Sequence, residues 1–201
     1  MESVPWIPLA LSLAVMVLVV VFAFRYRAAE TQRFREAWRE FATSRGYAWK
    51  DGSGPWYRRP SDSIDATVEG ASVKLDTYVV SSGKHSVTYT RVACTLRSAP
   101  RAKIHVGRRS FLTVIAERFG WRAVPMGDPT FDRTMAVRSK DAESARRTLD
   151  ESVRARLLGI PRVVEVKIDG PSARITWRGA EKDPRVLDAA CSTAAALARA
   201  S

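Results

Sequence analysis

Two histidines, His85 and His105, two cysteines, Cys94 and Cys191, and the aspartates Asp128 and Asp132 are the side chains whose types suit chemistry. Their spacing argues against most of it. The histidines and cysteines are metal-ligand types, but none forms the short pairs that zinc sites use, so no metal site is expected. Two isolated thiols read as small core residues, one on a strand and one on an apolar helix face. The Gly-Lys-His-Ser run around Lys84 resembles a phosphate loop only in passing. Walker A requires an upstream glycine, Ser or Thr directly after the Lys, and a strand-to-helix setting, whereas here Gly83 stands alone and His85 separates Lys84 from Ser86. Strands on both sides make it a hairpin turn. Asp128 and Asp132 flank Pro129 and suit the capping of a turn or of a strand start. Acid and base work would need environments that separate their pKa values. No Gly-x-Ser-x-Gly elbow is present, so a serine hydrolase is unsupported. No catalytic residue and no cofactor is expected.

Charge is the next candidate for function. The 201 residues carry 33 Lys and Arg against 21 Asp and Glu, a net +12, with a pI near 10.4. A basic surface attracts phosphate. Here the positive charge is spread along the chain and is mostly arginine amid abundant alanine, as a GC-rich coding sequence gives. Nucleic acid is therefore not the expected partner. Free thiols fit a reducing compartment.

The elements that would position any site begin with a membrane anchor. No charge lies between Glu2 and Arg25, and residues 6–24 read WIPLALSLAVMVLVVVFAF. At 1.5 Å per residue that run spans roughly 28 Å, close to the roughly 30 Å hydrocarbon core. Arg25, Arg27, Arg33, Arg35 and Arg39 follow it, with no Lys or Arg before it. This asymmetry predicts a short outside N-terminus over residues 1–5 and a cytoplasmic C-terminal domain. Trp6 and Tyr26 sit at the two ends, at headgroup level. The interface set is thus Trp6, Arg25, Tyr26, Arg27, Arg33 and Arg35. A cleaved signal peptide is the competing reading, and Val21 and Ala23 would suit a cleavage site. Signal peptides, however, have a basic n-region and an apolar core of about 7 to 15 residues, shorter than this one.

Residues 25–45 continue as an amphipathic juxtamembrane helix. Phe34, Ala37, Trp38 and Phe41 recur at spacings of three and four. This stripe can dock on the following domain or lie at the lipid headgroups, with docking favoured by its large aromatics. Gly46 ends the helix, and residues 51–63 form an irregular connection.

The soluble domain occupies residues 46–201, a size that buries one core. Period-two alternation marks strands at 64–68 and 73–79, resuming at 86–97 as a meander, with a fourth at 103–106. Residues 111–119 suit either a buried strand or a short helix. A strand is expected at 131–138, then one helix from Asp141 with Ala145, Leu149, Val153 and Leu157 inward, stopped by Gly159 and Pro161. A hairpin follows over 164–168 and 173–177. Asp183 and Pro184 open a last helix, with Leu187, Ala190, Cys191, Ala194 and Leu197 as its stripe. The class is α+β: a mainly antiparallel sheet with two C-terminal helices on one face.

Within this domain, residues 127–149 resemble a pattern of uncharacterised bacterial single-pass membrane-anchored proteins. Phe131, Asp132 and Val137 match it, and Met135 stands where an aromatic is more usual. The resemblance implies a bacterial inner-membrane protein with a cytoplasmic α+β domain. It transfers no catalytic residues.

The expected function is a non-enzymatic protein-binding or scaffolding module on the cytoplasmic face, where tethering raises effective concentration. Its partners are the lipid bilayer and a protein or a second copy of the chain. One alternative is an anionic-lipid sensor using the juxtamembrane arginines with Arg58 and Arg59. The other is an enzyme with an unrecognised site.

Overall fold

A computed structural model describes residues 6–52, 62–83, 85–109, 123–162 and 164–200, giving the backbone alone for residues 6–10 and 27. The N-terminal tail, Lys84, Arg58, Arg59, most of the turn-rich connection and the ambiguous 111–119 run lie outside the described residues.

The segments expected as anchor and juxtamembrane helix form one continuous helix, α1, Trp6–Arg45. It is long and apolar enough at its N-terminal end to cross a membrane. Leu18, Phe22 and Phe24 are each about 70% exposed, as a lipid-facing surface requires. Farther along, the same helix enters the domain core, where Trp38, Phe41 and Ala42 are buried. A Schellman motif ends it. Tyr47 N–H donates to Ala42 O at 2.8 Å and Gly46 N–H to Thr43 O at 3.2 Å, with Gly46 at φ +69° supplying the left-handed position. Phe41 and Tyr47 pack ring to ring across this cap, 5.9 Å between centroids.

The strands are β1 (Ala48–Lys50), β2 (Ser63–Val68), β3 (Ala71–Ser82), β4 (His85–Thr95), β5 (Ile104–Arg108), β6 (Met135–Ser139), β7 (Glu165–Asp169) and β8 (Ser172–Arg178). They form one 8-stranded sheet in the order β1-β2-β3-β4-β8-β7-β5-β6. Every pairing is antiparallel. Alternation decides which face is buried. Ile64, Val73, Leu75, Val92, Ile175, Val166 and Val106 point into one core, while Lys74, Arg174 and Lys167 stand exposed on the other side.

The helices cover the apolar face. Beyond α1 they are α2 (Pro129–Thr134), α3 (Ala142–Thr148), α4 (Glu151–Gly159) and α5 (Pro184–Ala200). Helix α5 buries Leu187, Ala190, Ala194 and Leu197 against the sheet, and α4 packs on α5. The molecule is the expected α+β fold, an antiparallel sheet with helices on one side.

Local departures from expectation have local causes. The segment expected as one strand begins instead with α2, because Asp128 caps it: its carboxylate accepts from Thr130 N at 2.9 Å and Phe131 N at 3.0 Å. Pro129 then occupies the first turn. The strand starts only at Met135. The single helix expected after Asp141 is broken at Leu149, where Asp150 accepts from Val153 N at 2.8 Å and starts α4. Strand β1 was not expected. Nor is the sheet a simple meander, since β4 pairs with β8 and β5 lies between β7 and β6.

Candidate functional site: a cleft beside the long N-terminal helix

Trp38 fixes the geometry. Its indole is fully buried, and Nε1–H donates to Glu181 O at 2.7 Å. Phe34 packs on it at 4.7 Å between centroids and Trp49 meets it edge-on at 6.4 Å. Helix and strand β1 thus share an aromatic cluster in which the domain satisfies the Trp38 donor, while the buried Nε1–H of Trp49 finds no acceptor among the described residues.

Glu181 joins the surrounding elements. Its backbone N–H donates to Thr90 Oγ1 at 3.0 Å. Its carboxylate accepts from Arg162 Nε at 2.9 Å, Trp177 Nε1 at 3.3 Å, and the backbone N–H groups of Lys182 and Asp183, each at 3.0 Å. Burial alone would raise its pKa. The hydrogen bonds from Asp183, Arg162 and Lys182 outweigh burial and hold it below the usual carboxylate range. No sequence pattern marks this residue.

Between α1 and the β3–β4 ribbon lies an open cleft of about 750 Å³. Phe34, Tyr78, Val79 and Thr88 line it, with Glu30 and Lys182 at one edge. Lys182 pairs with Glu30 across the gap. At the other edge Arg35 grips Asp62 with two nitrogens, at 3.1 and 3.4 Å, and reaches Asp51 at 3.4 Å. Gly52 N–H completes the Asp62 carboxylate at 2.8 Å. The cleft therefore offers aromatic and aliphatic walls between ion pairs that are already closed. That is the chemistry of a binding groove for a partly apolar segment.

The interface residues expected from sequence separate. Arg25, Tyr26 and Arg33 project from α1 as exposed side chains. Arg35 faces the domain through its ion pairs. The side chains of Trp6 and Arg27 lie outside the description. The chemical candidates disperse as well. Cys94 and Cys191 are buried, and desolvation pushes both thiols up to about 12. His105 Nε2 meets Glu165 Oε1 at 2.6 Å on the open sheet face. His85 lies exposed at the far hairpin end. Asp132 turns back to accept from Met126 N and Gly127 N at 3.0 and 3.1 Å. Among the described residues no group of three His, Cys, Asp or Glu side chains could hold a metal ion.

A long exposed apolar helix leading into an α+β sheet domain fits a membrane-associated protein. No protein-family model matches the chain, and no curated protein sequence does. Among solved structures it is similar in fold to the mycobacterial trehalose monomycolate transport factor A, TtfA, with a TM-score of 0.51 over 82% of this chain and 91% of that one. Identity over that match is 12%, so the likeness is one of fold.

Proposed function

We propose that this chain is a single-pass bacterial inner-membrane protein, N-terminus outside and α+β domain cytoplasmic, that works as a non-enzymatic binding module held in a fixed orientation. The observation that carries the reading is the burial of Trp38 and Phe41 in the domain core by the same helix that supplies the apolar span. A helix continuous with its domain transmits orientation, which a coil linker does not. The cleft beside that helix is the binding groove, placed close to the bilayer. The mycobacterial protein of similar fold is a transport factor, which supports a role beside a membrane transport process. The arginines Arg25, Arg27, Arg33 and Arg39 set the topology.

The native thiols are buried, so introduced cysteines report cleanly. With a membrane-impermeant maleimide on intact cells, Ser3→Cys is labelled and Arg174→Cys is labelled only after permeabilisation. The reverse pattern contradicts the orientation. For the groove, a photo-crosslinker at Thr88 captures a discrete membrane-protein partner that one at Arg174 does not. Equal capture from both positions removes the cleft from the reading.

A further inference from the structure

The β3–β4 ribbon outruns its sheet. Pairing with β2 stops at Asp76 and pairing with β8 at Tyr89, whereas β3 and β4 continue to Ser82↔His85. From Val80 to Val87 the two strands pair only with each other among the described residues. Such a ribbon is marginal in water without a further surface to rest on. Among the described residues outside α1, the large apolar side chains left exposed are Val79, at 60%, and Val80, at 47%. Residues 77–90 include no acidic residue and carry Lys84 and His85.

The direction of the ribbon follows from the contacts around it. Helices α1 and α5 run the same way, because Glu30 pairs with Lys182 and Arg45 with Asp188. Helix α5 and β4 also run the same way. Gly179 N–H meets Thr88 O and Glu181 N–H meets Thr90 Oγ1 at one end, and Arg97 N–H meets Ala198 O at the other. Going from Thr90 back to His85 therefore leads toward the apolar end of α1. Five residues of strand cover at most roughly 17 Å. Starting level with Trp38, the same length of helix reaches back about 11 residues, and crossing angle shortens this to somewhere between about Arg27 and Glu30. That is roughly 5–9 Å beyond Phe24, which reaches the outer part of a headgroup layer of roughly 5–7 Å.

The geometry points to the tip of the β3–β4 ribbon, around Ser82 and His85, as a second membrane contact that touches the headgroups of the bilayer α1 crosses, with Val80 two residue pairs behind it. The inference rests on the membrane-anchor reading above. Two contacts, helix and ribbon, fix both tilt and rotation of the domain, and the cleft between them then opens along the membrane surface.

The full chain in phosphatidylcholine–phosphatidylglycerol nanodiscs tests this, with nitroxides at Val80→Cys, Ser82→Cys, Phe24→Cys and Arg174→Cys, each read by collision with oxygen and with a nickel chelate. Val80 or Ser82 labels give several-fold lower nickel accessibility than Arg174, at a depth between Arg174 and Phe24. If Phe24 sits in hydrocarbon while Val80 and Ser82 match Arg174, the ribbon contact is overturned and the anchor stands. If Phe24 itself is aqueous, both fail.

Discussion

Glu181 and Trp38 are the residues on which the docking of α1 depends. Glu181 is buried, with its carboxylate pKa held down by its donors. A depressed folded pKa contributes stability that is present above the unfolded value of about 4.3 and lost as pH falls through the lower folded value. Glu181→Gln should therefore be less stable than the parent near neutral pH, and the gap should close as the pH drops below about 4. Denaturant unfolding across that range measures it, and a gap independent of pH would speak against an ionised Glu181. Trp38→Phe keeps most of the ring and removes the Nε1 donor from a buried carbonyl, at an expected cost of about 1–3 kcal/mol. The thiols play no comparable part. Burial holds Cys94 and Cys191 neutral, as core residues.

At the scale of elements, capping decides boundaries that hydrophobic period does not. Leu149, Val153 and Leu157 keep a helical spacing straight through the α3–α4 break, so the period alone reads as one helix. Asp150 creates the second N-terminus, and Asp150→Ala should destabilise the domain by about 0.5–2 kcal/mol in equilibrium unfolding. A loss within error would mean that the break is held by packing alone. Much else at this scale was legible. Alternation located β2, β3, β4, β7 and β8, Asp183-Pro184 located α5, and the Phe34, Trp38, Phe41 stripe located the buried face of α1. What was not legible is long-range. The sheet order depends on which strands meet across the core, and Glu181 gains its role from Trp38, 143 residues away, and Thr90, 91 away. No local pattern encodes such partners. The cleft has the same origin, since Phe34, Tyr78, Thr88 and Lys182 come from separate elements.

For the whole molecule, the consequence of these contacts is mechanical. Residues 11–26 of α1 are exposed, its other end is part of the domain core, and the helix runs between them without a break. Under the proposed membrane-anchor reading, the domain keeps one orientation to the bilayer, with the cleft and the ribbon on its bilayer side. Pulsed electron–electron resonance between nitroxides at Ala28→Cys and Arg174→Cys, on the full chain in nanodiscs, tests this most directly. Both positions are exposed, and the native cysteines are buried. One narrow distance distribution is the expected result. A broad or multiple distribution, with the domain still folded, would mean that the anchor is a tether and would contradict the account.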